Sequence, residues 1–187
     1  MLFYSLYVYE IEVKKRWLSK KEALSIDLGI DNFAACIDTL GNAFIIDGKR
    51  IKSVNRWYNK ENARLGSIKD KQKGIQLTTR QIRILQKRKP ILHDYLNKTV
   101  SHMIQHCLEH GIGKIVVDHN EGWKNKRNMR KRANQRFVQI PHSLWMRKMG
   151  SMCDRYDIVF MKQEESYTSK ASFLDDDPVP CIYSNES

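Results

Sequence analysis

Within the run Ala23-Leu24-Ser25-Ile26-Asp27-Leu28-Gly29-Ile30, one carboxylate interrupts an otherwise apolar strand pattern. A carboxylate in such a setting is costly to bury without a partner or a metal. The two-residue period of a strand sets Asp27 on the face opposite Ile26 and Leu28. Gly29, two residues on, allows a backbone or a phosphate to come close. An Asp-x-Gly element on a first strand serves two unrelated chemistries: holding a divalent metal for phosphodiester cleavage, or cradling the phosphates of ATP. The plain alternative is a carboxylate that bonds nearby backbone amides.

Other acids stand at strand ends. Asp118 closes Ile115-Val116-Val117-Asp118, where a carboxylate suits either a site or a turn cap. Glu164 and Glu165 follow the last strand and precede Ser166-Tyr167-Thr168-Ser169-Lys170. Two-metal phosphodiester cleavage needs several carboxylates converging on ions about 3.5–4 Å apart. Strand ends can supply them because a sheet fixes their spacing. His102, His106 and His110, at four-residue intervals, share a helix face; without a matching Cys or carboxylate pattern, they read as polar surface rather than a zinc site.

The elements that must position these residues follow from periodicity. Residues 2–13 read as a strand and 14–21 as a polar connector. Residues 23–30, 33–38 and 43–46 form an antiparallel meander, turned by Thr39-Leu40-Gly41-Asn42. From about Ser53 to Gly111 the pattern is helical, with a break around Lys69–Leu77, and Pro90 is expected to kink or restart the second helix. Leu92, Leu96, Val100, Met103, Ile104, Cys107 and Leu108 recur at helical spacing, and Gly111 is a fitting C-cap. A strand over Lys114–Asp118, a basic loop over 120–139, a helix over Pro141–Tyr156 and a strand over Ile158–Lys162 complete the order. Three antiparallel strands, helices, strand, helix, strand is an RNase H-like α/β topology without its final helix.

The chain of 187 residues has a net charge of +12, unevenly placed. Residues 49–90 hold fourteen Lys and Arg against Glu61 and Asp70, and residues 124–136 hold seven and no acid. Those two stretches outweigh the net charge of the whole chain, so the remainder is acidic. Such segregation points to a polyanion, nucleic acid foremost; the bland reading is a solvated helical face. Arg56, Lys60 and Arg64 repeat every four residues beside Trp57 and Tyr58, and Arg83, Lys87 and Arg88 follow on the next helix. Cys36, Cys107, Cys153 and Cys181 are scattered and form no CxxC pair, which argues against a disulfide framework and for a reducing, cytoplasmic setting. No apolar run approaches the ~20 residues that span a bilayer, so no membrane role is expected; with a polyanion as the partner, no small-molecule substrate is expected either.

Taken in order, SIDLGIDNFAA (25–35), NRWYNKENARL (55–65), DYLNK (94–98), WKN (123–125), FVQIPH (137–142) and EESYTSKASF (164–173) resemble the OrfB/TnpB proteins of insertion sequences. Those are RNA-guided DNA endonucleases related to the type V CRISPR effectors. The resemblance covers roughly residues 1–178. It implies an RNase H-like (RuvC-type) mixed sheet with a basic helical insertion at about 49–111. Residues 1–22 would be the last strand of a preceding β-barrel (wedge) domain plus connector, 23–170 the nuclease core, and 171–187 an irregular acidic tail.

Asp27 matches the first RuvC carboxylate. The second is usually a Glu at the position held here by Asp118, and in the branch this sequence resembles, the EESYTS segment supplies it, making Glu165, with Glu164 as alternate, a second candidate. The third, an Asp in an A-D-x-N motif, has no counterpart here. The expected ions are Mg²⁺ or Mn²⁺, on Asp27, Glu165 and Asp118. Relatives with a zinc ribbon carry CxxC after the Thr-Ser dipeptide, where this chain reads Ala171-Ser172-Phe173-Leu174-Asp175, so no zinc is expected. DNA and a guide RNA are the implied partners, met by Arg56, Lys60, Arg64, Arg83, Lys87 and Arg88 and, in the basic loop, by Lys124, Lys126, Arg127 and Arg130. Two alternatives stand beside this: a nucleic-acid-binding remnant that does not cut, and an actin-like ATPase, which would need a second phosphate-binding hairpin and an adenosine motif that the sequence lacks.

Overall fold

The computed structural model describes residues 10, 13, 16–29, 32–71, 77–118 and 140–163. Among these residues, five strands and three helices occur in the order β1 (Ser19–Leu28), β2 (Asn32–Asp38), β3 (Ala43–Asp47), α1 (Lys49–Lys71), α2 (Thr79–His110), β4 (Ile112–Asp118), α3 (His142–Tyr156) and β5 (Val159–Gln163). One mixed sheet runs β3-β2-β1-β4-β5. The meander β1-β2-β3 is antiparallel, whereas β4 joins β1, and β5 joins β4, in parallel.

Alternation along the strands decides which face is covered. Leu24, Ile26 and Leu28 of β1, Ala34 and Cys36 of β2, and Ile115 and Val117 of β4 are buried in one core. Against them pack Leu96, Val100, Met103 and Cys107 of α2 and Trp145, Met149 and Cys153 of α3. Trp145 is fully buried, and its indole Nε1 donates to Thr99 Oγ1 at 3.1 Å, which satisfies the one polar atom the ring carries inside. Phe33 closes the end of this core, with Tyr95 and Trp145 edge-on and His142 stacked.

α1 and α2 form a long hairpin. α2 opens on a Thr78–Gln81 capping box and ends at Gly111, whose φ of 69° and N–H to Cys107 O make the left-handed stop expected from the sequence. Its 32 residues span about 48 Å and run unbroken through Pro90, so of the kink or restart expected there the restart does not occur. Pro90 and Gln86 are both exposed, so water can serve the carbonyl that a proline at this position leaves without its N–H. The first half of α2 pairs with α1, and the second half lies on the sheet.

Strand β1 begins at Ser19, so Ser19–Glu22 belong to the sheet rather than to the connector. The Ser19 amide donates to Gly111 O at 2.8 Å, and the register shifts between Ser19 and Ala23. Gly113 permits this approach: a Cβ there would stand 2.8 Å from Ser19 O. The strand expected over residues 2–13 lies outside the described residues, except Glu10 and Val13, which are in no strand. The reading of 171–187 and Cys181 also lies outside them. No described helix is long and apolar enough to cross a membrane.

Candidate functional site

The second face of the sheet carries the acids. On β1 the burial alternates so that Ser25 and Asp27 are exposed while Ile26 and Leu28 are buried. The face assignment from the sequence therefore holds, and Asp27 meets solvent instead of a core. β1 and β4 run parallel with Ser25 opposite Val116 and Ile26 opposite Val117. One step further along the same register stand Asp27 and Asp118, both at the carboxyl ends of adjacent strands and both on the face away from α2 and α3. Asp118 is half-buried and opposite Gln163, the last residue of β5. Ligand sites of open α/β sheets form outside the carboxyl ends of parallel strands, where side chains from neighbours converge.

The same face carries exposed apolar side chains: Ile37 stands opposite Ser25, Met161 opposite Val116, and Ile45 opposite Ala35, the partner of Asp27. On this face Ile37 is 57% exposed, Ile45 64% and Met161 45%. Gly29 closes β1 directly behind Asp27. Its amide donates to Phe33 O at 3.2 Å, and a Cβ would meet Asn32 O at 2.8 Å. The missing side chain thus serves a close backbone reversal into β2. Among the described residues no group of three His, Cys, Asp or Glu is arranged to hold a metal. Glu164 and Glu165 lie outside the described residues.

The basic residues sit on the helical hairpin. Arg56, Lys60 and Arg64 are exposed on α1, and Arg83 and Lys87 on α2. Arg64 binds Glu61 at 2.9 Å, a bond that holds the Glu61 carboxyl below its ordinary value. Arg88 is half-buried: its Nε donates to the buried Asn55 Oδ1 at 2.9 Å, and its guanidinium lies 4.9 Å from the Tyr58 ring centre. Burial lowers its pKa. This cation joins α1 to α2 as well as adding charge. Lys124, Lys126, Arg127 and Arg130 lie outside the described residues.

One buried acid was not singled out in the sequence. The Asp38 side chain is fully buried at the end of β2. Its Oδ1 accepts from the Leu40 and Asn42 amides at 3.0 and 2.8 Å, and its Oδ2 from Asn42 Nδ2 at 2.9 Å and His106 Nε2 at 2.8 Å. Burial alone would raise its pKa; the side-chain bonds from Asn42 and His106, with the two amides, outweigh that and bring it to about 2. The histidine face is therefore partly structural: His106 ties α2 to the β2–β3 turn, and His110 Nδ1 reaches His106 O at 2.9 Å. The signal available in the sequence was Asp38 itself, four residues before Asn42 across a Gly-containing turn.

The strand order and the parallel pairing of β4 with β1 are those of an RNase H-like fold of the RuvC type. Solved structures share it, two of them Cas12f complexes. A Cas12f1–sgRNA–target DNA complex superimposes with a TM-score of 0.59 at 11% identity over 80% of this chain and 30% of that one. A CRISPR-Cas12f ternary complex gives 0.62 at 14% identity over 86% and 32%. The chain thus spans about a third of the length of these structural relatives. The profile of the IS605 OrfB family, described as probable transposases, matches residues 6–124, and the chain belongs to that family. No curated protein sequence matches it.

Proposed function

We propose that this chain carries the nuclease core of a transposon-encoded, RNA-guided DNA endonuclease. The observation behind the reading is the register that brings Asp27 and Asp118 side by side at the carboxyl edge of the sheet. Family membership supports a transposon origin. The likeness to a Cas12f1 complex solved with sgRNA and target DNA supports nucleic-acid partners.

The donor set fits a hard divalent cation. Two carboxylates stand on neighbouring strands of one sheet face, oxygen donors of the kind Mg²⁺ and Mn²⁺ take. Asp27 and Asp118 would hold such ions together with Glu165 or, in its place, Glu164. Bound ions would lower the pKa of the attacking water and stabilise the leaving oxygen. The chain's own part is to fix the carboxylates on rigid strands and to border them with Ile37, Ile45 and Met161. Arg56, Lys60, Arg64, Arg83 and Lys87, with the basic stretch that includes Lys124, Lys126, Arg127 and Arg130, would neutralise phosphates without reading sequence. Base pairing with a guide RNA would supply the specificity.

The test is cleavage of labelled DNA by the protein with guide RNA and Mg²⁺ or Mn²⁺. Asp27→Ala is expected to abolish cutting and leave binding intact. Unchanged cutting would remove Asp27 from the metal site. A wild-type protein that bound with steep salt dependence and left the DNA whole would be the non-cutting remnant.

A further inference from the structure

The helical layer carries a second polar feature, on the side of the sheet away from Asp27 and Asp118. α2 and α3 diverge around a groove of about 550 Å³, with Val100, Leu144 and Met152 among its apolar lining. Two cations from α3, Arg147 and Lys148, edge it, with the imidazole of His93 from α2. Lys148 Nζ donates to Asn97 Oδ1 at 2.8 Å, which holds the ammonium over the groove and leaves two of its three N–H groups for another acceptor. Ser101 and Ser151 add a hydroxyl from each helix, and no carboxylate is among the described residues that line the cavity.

We propose that this groove binds a single-stranded RNA segment separate from the strand that reaches the acids. Three features favour that occupant. An apolar floor beneath cations matches an unstacked base with its phosphates, the form in which single strands are usually recognised. The paired serine hydroxyls offer donors and acceptors to a ribose 2′-OH, the group that distinguishes RNA from DNA. The helix face that carries His93, Asn97 and Ser101 at four-residue spacing continues to the exposed Lys89 and on toward the basic hairpin, so a strand in the groove would follow α2 onto a surface of the same sign. The sheet lies between this groove and the acid pair, so a strand held here is outside the cutting position. The proposal rests on the nucleic-acid reading above and adds a site to it.

Fluorescence polarisation with a short labelled oligouridine, a matched oligodeoxythymidine and polyglutamate tests it on the full chain. Replacing Arg147→Glu and Lys148→Glu together is expected to weaken oligouridine binding at least tenfold. Neutralising the same two residues to Gln should make the slope of log affinity against log salt shallower by about 1.4, two charges at ~0.7 each. Arg147→Gln alone, on an exposed side chain, should change it by about half as much and keeps the test valid if the double variants fold poorly. Ser101→Ala with Ser151→Ala should bring the RNA-to-DNA affinity ratio toward one. If these variants are silent while Arg56→Glu with Lys60→Glu abolishes binding, the groove proposal fails and the nucleic-acid reading stands. If the wild-type chain binds neither oligonucleotide, both fail. Equal wild-type affinity for RNA and DNA, or displacement of RNA by polyglutamate at similar concentration, overturns the RNA assignment.

Discussion

Replacing Asp27 by Asn should stabilise the protein without metal and destabilise it, relative to wild type, with metal. Neighbouring strands lie ~4.8 Å apart. Two unit charges at that distance repel by about 0.9 kcal/mol in water and about 3.5 kcal/mol at an effective dielectric of 20. Asp27 is exposed, so the lower end applies, and losing one charge should stabilise the metal-free protein by about 1 kcal/mol. For a chain of this size that is about 2–4 °C in Tm. A cation that binds only the folded pair adds about 2.7 kcal/mol at a hundredfold excess over Kd, and the variant should lose most of that. Thermal melts in EDTA and in saturating Mg²⁺ or Mn²⁺ therefore show the two proteins crossing over. Asp118→Asn should give the same sign in EDTA. The double variant should gain little beyond either single one, because one substitution already ends the repulsion; a double-mutant cycle measures that shortfall. Additive effects in EDTA, or an equal response of wild type and Asp27→Asn to the cation, would show that the two carboxylates do not form one site.

The Asp38 network should dominate the acid limb of stability. Its carboxyl is lowered from 3.8 to about 2, so its contribution is present above pH 3.8 and is lost as the pH falls through about 2. Asp38→Asn should flatten that stretch of the curve, and Asp38→Ala, which leaves the His106 and amide donors without their acceptor, should cost about 3 kcal/mol in urea unfolding. Gly113→Ala should cost about 2 kcal/mol, because a Cβ 2.8 Å from the Ser19 carbonyl forces the backbones apart; an unchanged midpoint would refute the close approach of β1 and β4. Burial pushes the Cys36, Cys107 and Cys153 thiols up to about 12, with the Asp38 charge adding to it at Cys107 and the Asp154 charge at Cys153. These three thiols should react with a disulfide reagent only as fast as the domain opens, and prompt labelling in native buffer would contradict their burial.

Much of the fold was legible because its signals are local. Strands β1 to β3 are short apolar runs bounded by Gly and polar turns, and α2 is marked by a seven-residue apolar series that ends at Gly111. Three points were not legible. Pro90 halts a helix only where its lost hydrogen bond cannot be made good, and exposure is a tertiary property. The start of β1 at Ser19 depends on Gly113, nearly a hundred residues away. The polar residues Ser19–Glu22 carry no strand signal of their own. Arg88 is indistinguishable in sequence from the exposed Arg83 and Lys87; only the position of Asn55 and Tyr58 on the facing helix turns it inward.

The same logic explains why Asp27 can sit in a central strand at all. Parallel strands flanked on both sides are usually covered on both faces and read as continuous apolar runs. β1 instead alternates from Leu24 to Leu28, with Ser25 and Asp27 exposed between buried neighbours. A strand built this way contributes a full half-core through one face and leaves the other free for a carboxylate that would be prohibitive inside. Ile37, Ile45 and Met161 stay exposed on the same face, a border on that side that would help exclude water from the acids once a phosphate backbone lay across them. Charge beside such a border acts more strongly than charge on an open polar surface, since the local dielectric falls as water leaves. Substituting Ile45 by Ser should therefore leave the core intact and weaken divalent-cation binding only when nucleic acid is present, a dependence that titrating the cation with and without DNA would reveal.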